Sequence, residues 1–153
     1  MDYSQIGYNF GTLSRRYEAY VAYACKALDL GYVEYVMLME LFRRDQCRQE
    51  ELCQALSVDR ALVARYVKSL EQKGFVQRRQ DQQDRRAKHV CLTGKARDLQ
   101  PVLQDILRRW IDDVLADIDE TQTSQILQIL QIVAKRAADL SFEEICQRKK
   151  GNL

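Results

Sequence analysis

The sequence predicts a mainly α-helical protein with one small β-hairpin. Three observations predict it. Among 153 residues there are six glycines and one proline, so most stretches lack the residues that interrupt helices. Apolar residues recur at three- and four-residue spacing along most of the chain, the period of one helix face. Residues 75–92 abandon that period for two short extended runs around a polar stretch. The length suits one domain with a real core, and 46% hydrophobic residues argue against disorder.

In chain order, Ile6, Phe10, Leu13, Tyr17, Tyr20, Val21, Ala24 and Leu28 form one stripe of a first helix from Tyr3 to Leu28. Gly7 and Gly11 weaken its first turns, and Leu30-Gly31 breaks it. Val33 to Phe42 reads as a second helix. Arg48 to Leu56 is a short helix and Asp59 to Lys73 a longer one, parted by Ser57-Val58. Asp59 fits the N-cap of the longer helix, and Gly74 its C-terminal stop. Phe75–Arg79 and Ala87–Leu92 read as strands around the polar, basic Gln80–Arg86 tip.

Thr93 fits the N-cap of a helix running to Ile118, which at ~1.5 Å per residue would reach roughly 35–40 Å. Pro101 falls early in it, where a kink would absorb it. Leu99, Leu103, Ile106, Trp110 and Val114 form one stripe, and Leu107, Ile111, Leu115 and Ile118 a second beside it. An arc that wide predicts burial on two sides, against the chain's own domain and a partner. Asp119 and Gln122 fit a capping box for a last helix striped by Ile126, Ile129, Leu130, Val133, Ala134 and Ala137. Ser141–Leu153 is a polar tail with room for another helical turn or two.

Composition narrows the function. No run of about 18 apolar residues exists, so no membrane span is expected. The N-terminus has no basic segment followed by an apolar run, so no signal peptide is expected. Five cysteines at irregular spacing suit a reducing, cytoplasmic setting. With His89 the only histidine and no Gly-rich phosphate loop, no metal, cofactor or enzymatic activity is expected.

The net charge of +2 seems to argue against nucleic acid, but it hides a distribution. Residues 48–97 hold twelve Lys and Arg against six acids, while the remainder is acidic overall. Acids gather after Arg97, at Asp98, Asp105, Asp112, Asp113, Asp117, Asp119 and Glu120.

Helix, helix, short helix, turn, helix and hairpin, with positive charge on the last two, is the order of a winged helix-turn-helix. Leu52, Leu56, Leu62, Val63 and Val67 would lock two helices so that the second fits a DNA major groove. Arg60, Ala61, Ala64, Arg65 and Lys68 would line its outer face. The small alanines permit close approach, and Arg65 has the fork that pairs with guanine. Arg85 and Arg86 at the hairpin tip would enter the adjacent minor groove. Lys68, Lys73 and Lys88 would serve phosphates.

Over about residues 3–140 the sequence resembles the MarR family of bacterial winged helix-turn-helix regulators. The likeness is carried by residues 56–76, Leu-Ser-Val-Asp-Arg-Ala-Leu-Val-Ala-Arg-Tyr-Val-Lys-Ser-Leu-Glu-Gln-Lys-Gly-Phe-Val. It continues through Arg78 and Arg79 to Asp84-Arg85-Arg86-Ala87-Lys88-His89-Val90-Cys91-Leu92-Thr93-Gly94-Lys95. The wing pattern Asp-x-Arg followed by Leu-Thr is the specific part. Cys53 and Ser57 stand where Ala and Gly are commoner, and the wing tip lacks its frequent proline.

The resemblance implies one domain over residues 1–153, with a DNA-binding lobe at 32–97 and dimerisation helices at 3–29 and 98–140. It implies a homodimer on a pseudo-palindromic operator, acting as a repressor released by a small phenolic or anionic effector. The family's base-reading positions fall on Arg60, Ala61, Ala64 and Arg65, and its wing arginine on Arg86. Asp84 matches the wing acid that orients its neighbours.

Some readings stay open. Tyr17, Tyr20, Tyr23, Tyr32 and Tyr35 either pack as core or line an effector pocket, with Arg16, Tyr20 and Tyr35 its ligands. Some relatives sense oxidants through a cysteine. Here Cys25, or another of the cysteines, would have to serve, although small buried hydrophobes are the default. His89 is expected to be exposed on its strand. The rival from another class is a helical protein-interaction module with a repurposed wing, indifferent to changes at Arg60 and Arg65.

Overall fold

A computed structural model describes residues 2–80 and 88–148. The chain divides into two compact units, one ending at Asp113 and one beginning at Val114.

In the first unit, α1 (Tyr3–Ala24) opens on Asp2, whose carboxylate accepts from the Ser4 and Gln5 N–H groups at 3.0 and 3.3 Å. Only the end of its stripe is buried, at Val21 and at Cys25 just beyond. Ile6, Phe10 and Leu13 stay 38%, 51% and 50% exposed. The helix closes on a 3₁₀ turn, Lys26–Leu28, and Asp29 bends the chain at φ 54°. Then α2 (Tyr32–Arg43) buries Glu34, Tyr35, Met37, Leu38 and Leu41.

A two-residue strand, β1 (Cys47–Arg48), follows where helix was expected to start. Two residues carry no period, and its partners Val90 and His89 lie far along the chain. Next come α3 (Gln49–Leu56) and α4 (Arg60–Gln72). Asp59 caps α4 as expected, accepting from the Leu62 N–H at 2.8 Å. Gly74 turns the chain at φ 76°, a conformation that costs glycine little. The hairpin is β2 (Val76–Gln80) with β3 (Lys88–Leu92), and the antiparallel sheet runs β1-β3-β2.

Thr93 begins α5 (Gly94–Val114), accepting from the Ala96 N–H at 3.3 Å while its hydroxyl reaches the Gly74 carbonyl at 2.7 Å. The helix continues through Pro101 but stops at Val114, short of the expected Ile118. Leu103 and Ile106 bury its first stripe. Trp110 packs against Tyr17 and Tyr20 of α1, at centroid distances of 5.7 and 5.2 Å.

In the second unit, α6 (Glu120–Ala138) is followed by α7 (Phe142–Arg148). Asp119 accepts from the Gln122 N–H at 3.0 Å, so one half of the expected capping box is formed. Leu127, Ile129, Leu130, Ile132 and Val133 of α6 are all exposed. Among the described residues, no helix is long and apolar enough to cross a membrane.

Candidate nucleic-acid interface

Helix α4 divides by face. Val63, Val67 and Leu70 recur at helical spacing and are fully buried, fixing the helix to the core with Leu52 of α3. Leu56 packs half-buried on that core. Leu62 does not join it as expected and is only half-buried, because it falls between the buried stripe and the outer face. Arg60, Ala61, Arg65 and Lys68 are exposed on the outer face, with Ala64 half-buried beside them.

The turn before α4 is held by Ser57 in left-handed conformation, φ 53° and ψ 41°. Glycine adopts that region freely and serine does not. The substitution thus keeps the turn with some backbone strain.

Two arginines on this face have protein partners. The guanidinium of Arg60 pairs with the carboxylate of Glu50 in the first turn of α3. Arg65 lies over the Tyr66 ring at 5.0 Å, with Nη2 at 3.5 Å from its hydroxyl. That is a cation–π contact which holds the guanidinium plane.

Lys73 leaves the expected phosphate set. Its Nζ donates to Glu34 Oε2 at 2.8 Å and to the Asp29 carbonyl at 2.6 Å. Glu34 also accepts from Ser69 Oγ at 2.6 Å and from the Gly31 N–H at 2.9 Å. Burial alone would push the Glu34 carboxyl up, but the bonds from Lys73, Ser69 and Gly31 hold it below the usual range. A lysine so committed is an internal counter-ion, and it ties the end of α4 to the start of α2.

In the sheet, Lys88 and Arg79 are exposed, and Arg78 pairs with Glu71 at 3.4 Å. The expected wing residues Asp84, Arg85 and Arg86 lie outside the described residues. His89 is not the exposed strand residue that was expected. It is half-buried, with Nδ1 2.6 Å from the Gln46 carbonyl, because β1 lies against β3.

A family model, described as the MarR family, matches residues 30–88. That span runs from the Glu34 contact through the helix-turn-helix to the start of β3. The chain is 29% identical over 110 residues to the helix-turn-helix-type transcriptional regulator BilQ of Clostridium symbiosum, covering 72% of this chain and 75% of that protein. The crystal structure of a MarR transcriptional regulator from Methanosarcina mazei superposes with a TM-score of 0.86 at 28% identity, covering 90% of this chain and 99% of that one. The chain is thus similar to MarR-family transcriptional regulators over most of its length, with the family model itself confined to residues 30–88.

A MarR-family transcriptional regulator from Listeria monocytogenes, crystallised with a 26mer DNA, has the same fold. It superposes with a TM-score of 0.80 at 23% identity, over 95% of this chain and 94% of that one. These similar proteins are transcriptional regulators.

Of the five tyrosines, Tyr35 is core, Tyr17, Tyr20 and Tyr32 pack half-buried against it, and Tyr23 is exposed. Tyr35 is 1% exposed, and its hydroxyl donates to the Leu103 carbonyl at 3.5 Å. The Tyr17 hydroxyl donates to that of Tyr35 at 3.3 Å, and Tyr20 donates to the Ile106 carbonyl at 3.1 Å. Burial pushes the phenols of Tyr17 and Tyr35 up, so both stay neutral. Tyr20 and Tyr35 therefore spend their hydroxyls on α5, and Arg16 faces solvent. The expected effector site at these three residues is not assembled. A groove of about 410 Å³ lies elsewhere, lined by Val36, Met39, Phe42 and Arg43 of α2, Leu56 of α3 and Leu107 of α5.

Three of the cysteines lack the features of a sensing thiol. Cys25 is fully buried, and burial pushes its thiol up, the opposite of what a reactive thiol needs. Cys47 is buried and pushed up to about 11, and Cys91 is raised as well. Sequence reasoning missed Glu34, Glu50 and Tyr66 as partners. Gly31-x-x-Glu34 matched the spacing of a helix-start signature and was the available signal for the first. No signal linked Glu50 to Arg60.

Proposed function

We propose that this protein is a homodimeric DNA-binding transcriptional regulator that docks α4 of each protomer in the major groove of a pseudo-palindromic operator. The observation that carries the reading is the α4 face. A capped, core-locked helix presents Arg60, Ala61, Arg65 and Lys68 outward together. Arg60 and Arg65 read base edges, Ala61 and Ala64 allow close approach, and Lys68 and Lys88 meet phosphates. Arg85 and Arg86 enter the flanking minor groove and Asp84 orients them. The DNA-bound Listeria relative of the same fold supports this docking.

Dimerisation rests on apolar surface. Phe10 and Leu13 of α1 and Ile129, Leu130 and Ile132 of α6 stay exposed in a single chain, an exposure that marks interaction surfaces. A two-fold dimer buries the same residues from each copy and sets half-sites about one helical turn apart. The regulator acts as a repressor, and a small organic anion entering the α2–α3–α5 groove beside Arg43 releases it.

Selecting bound sequences from a random duplex pool yields the operator and its half-site spacing. On that operator, Arg65→Ala costs ~1–3 kcal/mol and relaxes one position, whereas Lys68→Ala weakens all sequences alike and flattens the salt dependence. Arg86→Ala protein that binds as tightly as wild type at about 150 mM salt would remove the wing assignment. If no duplex is enriched, and binding to DNA is independent of salt, the chain is a protein-interaction module instead.

A further inference from the structure

Arg60 is not a free cation on α4. Glu50 reaches over from α3, ten positions earlier, and its carboxylate takes the Arg60 Nη2. The neighbouring acid is used otherwise. Glu51 accepts from the Arg48 N–H at 2.7 Å and pairs with Arg44 at 2.8 Å, which serves the start of α3. Glu50 is thus the acid turned to the outer face of the recognition helix.

This pair contributes little to folding. Its side chains are 57% and 72% exposed, and exposed ion pairs are screened by water and worth little. It also has a cost for DNA binding, because a carboxylate beside the docking face repels phosphates. The Glu50 backbone N–H and the Arg60 charge hold the Glu50 carboxyl below the usual range, so it keeps its charge at neutral pH. A charge of the wrong sign at that place needs a reason other than stability or affinity.

Discrimination between bases is such a reason. Glu50 holds Arg60 through Nη2, so the rest of the guanidinium fork can meet a base while the pair stays closed. Guanine offers N7 and O6 together, a bidentate acceptor pair that suits a fork held in one plane. Other bases offer one acceptor or a donor, so the guanidinium must turn away from Glu50 to find a partner, which leaves that carboxylate unpaired before the phosphates. Specificity gains more from a penalty on wrong partners than from added attraction to all of them.

We propose that Glu50 is a specificity-determining residue, acting through Arg60. It presets the guanidinium plane and penalises docking on any base pair that Arg60 cannot engage bidentately. The inference rests on the reading of α4 as the base-reading helix.

The test uses the full-length dimer, its selected operator, and the same duplex with the Arg60-facing base pair replaced in both half-sites. Affinities are measured by fluorescence anisotropy for wild type, Glu50→Gln, Glu50→Asp and Arg60→Ala. Glu50→Gln is expected to bind the replaced duplex more tightly than wild type while operator affinity barely moves. The operator-to-replaced ratio falls roughly tenfold, within what one bidentate arginine–guanine pair contributes. Glu50→Asp restores part of the ratio. In the Arg60→Ala background, Glu50→Gln changes the ratio no further.

A ratio that falls in Arg60→Ala but holds in Glu50→Gln overturns this inference alone. A ratio that holds in Arg60→Ala overturns it together with base reading by Arg60. Glu50→Gln protein that loses operator affinity and replaced-duplex affinity equally also overturns it, since that is the signature of a merely structural residue.

Discussion

Replacing Lys73 by methionine removes the cation that faces Glu34 and keeps most of the lysine's apolar stem. The Glu34 side chain is 5% exposed and that of Lys73 is 25% exposed. Removing one partner of a buried pair costs about 3–5 kcal/mol because the other charge is left uncompensated. Partial exposure of the lysine places the loss at the low end, about 3 kcal/mol, or ~6–12 °C in melting temperature for a chain of this size.

The loss depends on pH. In wild type the Glu34 carboxyl sits below its ordinary value of 4.5, so its contribution is present above that value and fades as pH falls through the folded one. In Lys73→Met the lysine's lowering influence is gone while burial stays, so the carboxyl rises from its wild-type position. The variant's deficit is therefore largest at neutral pH and shrinks toward acid, where Glu34 takes up a proton. Urea unfolding followed by far-UV circular dichroism from about pH 3 to 8 reads this directly. Adding Glu34→Gln to Lys73→Met recovers much of the loss, because no charge then stays buried. A deficit under about 1 kcal/mol, or one independent of pH, would refute the assignment of Lys73 as an internal counter-ion.

Three further outcomes are expected. Ser57→Gly relieves the left-handed backbone and raises stability by about 0.5–1 kcal/mol, while Ser57→Val lowers it by about 1–2, both measured by urea unfolding. Asp59→Ala leaves the Leu62 N–H without its acceptor and costs about 1 kcal/mol, with faster amide exchange confined to the first turn of α4. In thiol labelling of the native protein, the exposed Cys146 reacts first, whereas Cys25 and Cys47 wait for unfolding. Labelling of Cys25 within minutes would restore it as a candidate sensor.

Much of the helix-turn-helix was legible because its determinants are local. Asp59, Gly74 and Thr93 act on backbone groups a few residues away, and the apolar period of α4 depends only on helix geometry. The end of α5 was less legible. The apolar pattern runs on through Leu115 and Ile118, yet the helix stops at Val114, where the second unit begins. A period reports a continuous face and carries no signal for a unit boundary.

The helical class, the hairpin, the basic segment and the family signature follow from spacing along the chain alone. What individual polar side chains do follows from packing. Lys73 and Glu34 are 39 positions apart, Tyr35 and Leu103 68 apart, and Glu50 and Arg60 ten apart across a turn. Spacing rules reach only a turn or so of helix. Whether a cation faces DNA or a buried carboxylate is settled by which chain segment packs opposite it.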